Sequence, residues 1–425
     1  MRNLFEPITR DERQKEGVRK WIKNNCRACL QYPTGVGKTW TAIMGIKALL
    51  KKYPDFRLLV VVPTEPLQEQ WKKELNKQGI IFNADVQIIN TVIKHNWTCD
   101  ILIIDEIHRT GAETFSKVFT KVKYRAILGL TATLERLDER HTIIEKYCPI
   151  CDTITLAEAM ANKWISDYTE YKIVLDVEDI DKYREMNKEF NEHFGFFNYE
   201  FEKAMSMVGK GGFRNRIKYR DEICPKGSKE EKSELLKQIT YHATAMMQAL
   251  QKRKKFINSH PDKIRLTQEI IKHRPDSKII TFSATTDIAE SIGIGYVYTG
   301  KDSKKKGRTT IEQFSEKETG VLNTIKKADE GLDVKGLSVA IILGMDSSPT
   351  RSTQRKGRVI RKEGDKHAEI FTFVINNTVE SQWFEKSHKN DVNYITIGEK
   401  GLMQVLNGEE PEPYTRPIPK LTFRF

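Results

Sequence analysis

Unbroken apolar runs, rather than alternating ones, mark the strands of this chain. Residues 58–62, 101–104, 126–130 and 339–343 carry no polar residue. A strand that is apolar on both sides is buried on both faces, which is the habit of a parallel sheet. The stretches at 28–30, 86–91, 171–177, 278–283, 296–300 and 321–324 read as further strands. Between them lie amphipathic segments, among them 10–22, where Gln14, Val18 and Ile22 recur at spacings of four, and 40–50. Strand and helix in alternation predict an α/β fold. The alternation breaks after residue 177. Residues 183–202 are polar, aromatic-rich and helical in pattern, and 229–257 read as one long helix ending in Lys252-Arg253-Lys254-Lys255. The expectation is therefore two parallel-sheet units with a helical insertion at the root of the second.

Composition narrows the class. The 425 residues are 39% apolar and 30% charged, as in soluble globular chains of two or three domains. Lys plus Arg number 71 against 58 Asp plus Glu, a formal net charge of +13. That surplus suits a polyanion, because neutralising phosphates releases counterions. No apolar stretch is long enough to span a bilayer, and the first residues lack a signal-peptide core, so an intracellular, cytoplasmic location is expected. The pairs Cys26/Cys29 and Cys148/Cys151 stand more than a hundred residues apart and are read as reduced structural thiols.

The candidate chemistry sits at the strand ends. Tyr32-Pro33-Thr34-Gly35-Val36-Gly37-Lys38-Thr39 falls between a strand and a helix. Glycines there let the backbone N–H groups of Thr34 to Gly37 approach the phosphates of ATP. Lys38 reaches the terminal phosphates, and the Thr39 hydroxyl can ligate Mg²⁺. Tyr32 occupies the place of the usual first glycine. The run at 101–104 ends in Asp105-Glu106-Ile107-His108. An acidic pair at such a strand tip lies beside the phosphate loop, where Asp105 can hold Mg²⁺ and Glu106 can activate water. In the insertion, Lys210, Phe213, Arg214 and Arg216 form a Gly-flanked basic loop expected to follow a phosphate backbone or wedge against a base pair.

These motifs, in this order, resemble those of superfamily 2 DExH-box helicases. Pro33 to Thr39 matches motif I, Pro63-Thr64 onward motif Ia, Asp105 to His108 motif II, Thr131-Ala132-Thr133 motif III, and Gln354-Arg355-Lys356-Gly357-Arg358-Val359-Ile360-Arg361 motif VI. The flanks Leu128-Gly129-Leu130 and Glu135-Arg136-Leu137-Asp138 are similar to the XPB-like and UvsW-like DNA helicases and to restriction-enzyme motor subunits, with Leu134 in place of the usual Pro. The resemblance implies two RecA-like domains, at 1–155 and 263–397, with a bridge at 156–177, the insertion at 178–262 and a C-terminal tail at 398–425. It implies that Gln14 reads adenine and that Gly331 and Asp333 of motif V meet the nucleotide. His108, Thr131 and Thr133 would couple hydrolysis to movement. Pro63, Thr64, Thr91, Ser283 of motif IV and Thr324 would contact nucleic acid. Gln354, Arg358 and Arg361 would face ATP from the second domain, the arginines as fingers on the developing phosphoryl charge.

The implied activity is an ATP-dependent DNA helicase or translocase on forked or branched DNA, tracking 3′–5′, in replication, recombination or repair. A DEAH-type RNA helicase and a duplex-translocating motor subunit are the alternatives. The tail is a candidate docking peptide for a protein partner, and the chain's compactness hints at a viral or phage origin.

Overall fold

The computed structural model describes residues 8–134, 141–209, 211–299, 304–325, 334–389 and 393–415. The first sheet has six strands: β1 (Arg27–Gln31), β2 (Leu58–Val62), β3 (Ala84–Ile88), β4 (Ile101–Asp105), β5 (Ala126–Thr131) and β6 (Ile150–Thr153). They are parallel and run in the order β3-β2-β4-β5-β1-β6. Helices α1 (Arg10–Lys23), α2 (Lys38–Lys52) and α3 (Glu65–Lys77) pack on it. Strands β2, β4 and β5 are buried along their whole length, so their unbroken apolar runs follow from cover on both faces. A capping box between Thr9 and Glu12 starts α1.

The second sheet has seven parallel strands: β7 (Tyr168–Leu175), β8 (Lys278–Phe282), β9 (Tyr296–Tyr298), β10 (Gly320–Thr324), β11 (Val339–Ile342), β12 (Ala368–Ile375) and β13 (Ile395–Ile397). Their order is β9-β10-β8-β11-β12-β7-β13. The strand that comes first in sequence thus lies between two that come last. The chain leaves β7 for a helical segment, α4 (Ile180–Gly195), α5 (Phe201–Ser206), α6 (Gly212–Ile223) and α7 (Lys229–Asn258), before α8 (Pro261–Lys272) returns it to the sheet. The segment has its own core, in which Phe190, Phe197, Tyr219, Ile239 and Met246 are buried together. Helices α9 (Lys304–Ser315), α10 (Pro349–Val359), α11 (Val379–Ser387) and α12 (Glu399–Leu406) complete the second unit. Two parallel α/β sheets with this helical segment are the architecture the apolar runs predict.

Some local expectations change. The strand at 86–91 ends at Ile88 and turns into a short helix, Ile89–Val92, because Ile89 and Val92 pack into the core side by side. The basic stretch 304–308, which falls between the strands read at 296–300 and 321–324, opens α9, since Ile311 and Phe314 downstream pack at helical spacing. The basic loop of the insertion is mostly helix: Phe213, Arg214 and Arg216 ride on α6, whose first residue Gly212 packs against Met207 so closely that a Cβ would lie 2.3 Å from the Met207 carbonyl oxygen. The start of the proline-rich tail is helix α12, with Leu402 and Leu406 in the core, and the Tyr414 hydroxyl donates to Asp176 at 2.9 Å.

Candidate active site

One cavity, of about 410 Å³, opens between the two sheets. That size is in the range of small-molecule sites. From the first unit it is lined by Thr34, Gly35, Gly37, Lys38, Thr39, Asp105 and Glu106, and from the second by Gln354, Arg358 and Arg361. Trp40, Ile43, Leu67, Gln70, Glu74, Lys362 and Glu363 complete the wall.

The phosphate loop takes its shape from its glycines. Gly35 and Gly37 have φ of 95° and 92°, which only glycine adopts readily. Val36 between them is buried. Lys38 donates to the carbonyl oxygen of Tyr32 at 3.0 Å. The Tyr32 ring is fully buried, and its hydroxyl donates to Asp152 at 2.5 Å. Asp152 also takes hydrogen bonds from Arg13 at 2.5 Å and from Lys20 at 2.7 Å. Gly17 leaves room for this ring, since a Cβ there would sit 1.9 Å from the hydroxyl. The tyrosine in place of the first glycine is therefore part of a buried clamp that fastens α1 to the loop. Gln14, on the same helix, donates to the Val36 carbonyl at 2.7 Å. It is buried behind the loop, off the lining of the cavity.

Asp105 and Glu106 stand at the tip of β4. The indole of Trp71 donates to one Asp105 oxygen at 2.8 Å and the Glu106 amide to the other at 3.0 Å, so the carboxylate is held in one orientation. Burial, with the neighbouring Glu106 charge second, pushes the Asp105 carboxyl up to about 6. Glu106 adopts φ of 51°, a left-handed backbone that non-glycine residues take at a cost. Two adjacent, poorly solvated carboxylates and the Thr39 hydroxyl are a hard-oxygen donor set that fits a divalent cation.

His108 links this tip to the next strand. Its Nδ1 lies 3.4 Å from Glu106 Oε2 and 3.1 Å from Thr131 Oγ1. The Thr131 hydroxyl donates to the Thr133 carbonyl at 2.6 Å, so with its single proton spent it accepts from His108. Glu106, His108, Thr131 and Thr133 thus form one chain of contacts.

The second unit closes over the loop. Ser166 N donates to Ile360 O at 2.8 Å, and its hydroxyl to Arg361 O at 2.9 Å. A Cβ on Gly357 would lie 2.3 Å from Thr34 Cβ. Helix α10 packs directly on the Thr34 side chain of the phosphate loop, and Arg358 and Arg361 line the same cavity as Lys38.

The other expected residues lie elsewhere. Pro63 and Thr64 are half-buried at the start of α3, where Thr64 Oγ1 makes no hydrogen bond. Thr91 is exposed on its helical turn. Ser283 and Thr324 are buried; Thr324 donates to the Thr281 carbonyl at 2.6 Å, and Ser283 Oγ makes no hydrogen bond. In α6, Phe213 and Arg214 are exposed, and the Arg216 guanidinium lies 5.9 Å from the centre of the Phe213 ring. Lys210, Gly331 and Asp333 fall outside the described residues, as does the tail from 416. The two Cys-x-x-Cys pairs flank neighbouring strands β1 and β6, but their odd spacing splits each pair: Cys29 and Cys148 enter one core, and Cys26 and Cys151 pack against the other. Burial raises the Cys29 and Cys148 thiols well above their usual range, disfavouring the metal-binding thiolate.

Sequence reading missed Trp71, Asp152, Arg13 and Gly17. Each acts on a partner more than a dozen residues away, and no local spacing reports such a contact.

The comparisons with known proteins follow the same division. Residues 8–96 and 82–136 match the family described as type III restriction enzyme, res subunit, and residues 262–363 match the helicase conserved C-terminal domain. The chain is 28% identical over 391 residues to the DNA 3′-5′ translocase XPB2 of Sulfurisphaera tokodaii, covering 86% of this chain and 82% of that protein. It is 24% identical over 449 residues to a putative ATP-dependent RNA helicase of Methanocaldococcus jannaschii, covering 83% of this chain and 56% of the relative. Among solved structures, Saccharomyces cerevisiae Dbp5 bound to RNA and ADP BeF3 superposes with a TM-score of 0.57 at 13% identity, over 93% of this chain and 91% of that one, a likeness of fold. No helix among the described residues is long and apolar enough to cross a membrane. Both helicase family models and the translocase relative support an XPB-like helicase of superfamily 2, an ATP-dependent enzyme whose relatives imply nucleic-acid binding.

Proposed function

We propose that this enzyme is a DNA motor that tracks 3′–5′ along one strand and unwinds or remodels forked or branched duplexes. The reading rests on one observation: Lys38, Thr39, Asp105 and Glu106 share a cavity with Gln354, Arg358 and Arg361 from the other unit. In it, Lys38 and the amides of Thr34 to Gly37 hold the phosphates of ATP. Thr39 and Asp105 would hold Mg²⁺, which when bound would neutralise charge on the phosphate oxygens. Glu106 takes the proton of the attacking water as the bond to γ-phosphorus forms, and ADP leaves with the electrons of the broken P–O bond. Arg358 and Arg361 stabilise the charge spread over the transferred group, and removal of such a finger costs roughly 10³-fold or more in rate. Because the arginines belong to the second unit, hydrolysis requires closure and releases it. The contact chain from Glu106 through His108 to Thr133 then carries the state of the site toward the segments at Thr64 and Thr91, the expected nucleic-acid contacts that reach the surface. Phe213, Arg214 and Arg216 on α6 give the insertion a basic, aromatic edge for the fork.

DNA is favoured by the name of the Sulfurisphaera relative and by the motif III flanks. The name of the Methanocaldococcus relative supports RNA as a second reading. The test is the steady-state ATPase rate with single-stranded DNA, forked DNA, four-way junctions and RNA at one fixed salt concentration. Stimulation by forks or junctions, followed by strand displacement of 3′-tailed duplexes, is the expected result. Stimulation by RNA alone would overturn the DNA reading.

A further inference from the structure

Helix α10 is an unusual core helix. Its sequence, Pro-Thr-Arg-Ser-Thr-Gln-Arg-Lys-Gly-Arg-Val, offers Val359 as its sole aliphatic side chain, so apolar packing alone does not fix how it is rolled. Gln354 and Arg358 lie four apart on the face toward the cavity. Lys356, two residues from each, points roughly 200° away at 3.6 residues per turn. There it is buried, 3% exposed, beneath the helix.

Its ammonium meets a built site. Lys356 Nζ pairs with Glu170 Oε2 and lies 2.6 Å from His388 Nε2, while His388 Nε2 lies 3.0 Å from Glu170 Oε1. Glu170 and His388 are 1% and 2% exposed. Burial by itself would raise the Glu170 carboxyl, but Lys356 and His388 outweigh it and hold the group below its usual range, so it is ionised. The supports of this trio are rigid. Glu170 stands in β7 between β12 and β13. His388 caps α11 with Nδ1 donating to the Phe384 carbonyl at 2.8 Å. The other end of α11 is held by Glu380, which pairs with buried Lys263 at 2.8 Å.

We propose that Glu170 is a positioning residue for ATP hydrolysis: with His388 it fixes Lys356, and so sets the roll of α10 that aims Arg358 into the cavity. On a helix with so little apolar surface, a buried ion pair can fix the roll because it is satisfied in one geometry. The inference rests on the reading of Arg358 as the group that stabilises the transferred phosphoryl.

The experiment compares E170Q, K356M and the double variant E170Q/K356M with R358K, measuring kcat and KM for ATP at saturating nucleic acid, and thermal unfolding. Each single variant strands a charge in the core and loses stability; the double variant removes both charges and regains it. The expected result is that kcat in the folded double variant stays roughly 10- to 100-fold below wild type, as for a reacting group displaced by about 1 Å, with KM little changed. If R358K lowers kcat but the double variant matches wild type, the trio is structural only and the inference fails while the finger reading stands. If R358K leaves kcat unchanged, the finger reading fails and takes the inference with it. Should the single variants fail to fold, the double variant alone decides.

Discussion

Gly357→Ala tests the closed contact between the two units with one methyl group. The added carbon would lie 2.3 Å from Thr34 Cβ, with Thr34 Cγ2 and Oγ1 at 2.8 Å. Carbon atoms rest at about 3.5–4.0 Å, so the helix and the phosphate loop must part by more than ~1 Å. Thr34 is short and rooted in the loop, so it cannot swing away as a long side chain would. Overpacking of this kind costs about 1–3 kcal/mol, here charged against closure rather than against the folding of either sheet. A displacement near 1 Å between Arg358 and the phosphates lowers the chemical step by roughly 100-fold. The assay is kcat for ATP with binding of a fluorescent ATP analogue measured alongside. Binding to the first unit should persist while kcat falls. Gly211→Ala is the control, since nothing lies within 4 Å of a Cβ there. A Gly357→Ala enzyme with wild-type kcat and stability would mean that the closed contact is not the hydrolytic arrangement.

Three further expectations are simpler. Glu106→Gln should lower ATP hydrolysis by about 10²-fold or more while ATP binding is kept, because the amide cannot accept the proton; retained turnover would remove Glu106 from the chemistry. The triple variant Phe213→Ala, Arg214→Ala, Arg216→Ala should weaken fork unwinding far more than basal hydrolysis, and equal loss of both would argue against a substrate role for α6. The third concerns pH. Burial would raise the Asp152 carboxyl, but the hydrogen bonds from Arg13, Lys20 and Tyr32 hold it below its usual range. A depressed carboxyl contributes stability above its unfolded value of about 3.9 and loses it as pH falls through the folded value. The gap in urea midpoint between wild type and Asp152→Asn should therefore be full at neutral pH and shrink only below about pH 4. A gap that closed near neutrality would contradict the clamp.

Much of the site was legible because its chemistry is local. The phosphate loop, the acidic strand tip and the two arginines each declare themselves within a few residues, and the unbroken apolar runs placed them at strand ends of a parallel sheet. What escaped was everything set by distance in space. Tyr32 reads as a departure from a glycine pattern; only the fold reveals Asp152 and Gly17 as the reason it is accommodated. Glu170 falls just before the strand read at 171–177, and only the fold extends β7 back to Tyr168 and buries this glutamate between β12 and β13. The residues Phe213 to Arg216, read as a loop because the neighbouring glycines mark flexibility in sequence, lie on α6, where close packing of Gly212 on Met207 fixes the helix start. Gln14 shows the limit from the other side: its spacing suggested a contact with adenine, and only the fold shows its amide nitrogen donating to the loop's own carbonyls.

The helical segment leaves the second sheet after β7 and rejoins it at α8, and its two ends meet, with the Tyr183 and Phe256 rings 5.8 Å apart. It keeps a core of its own apart from both sheets. A segment built this way is a cassette. It joins the second sheet across a single seam and shares no residue with the lining of the ATP cavity, so its exchange would leave that cavity's wall intact. Transplanting residues 180–258 between two such enzymes is therefore a way to separate what the segment does from what the ATP cavity does.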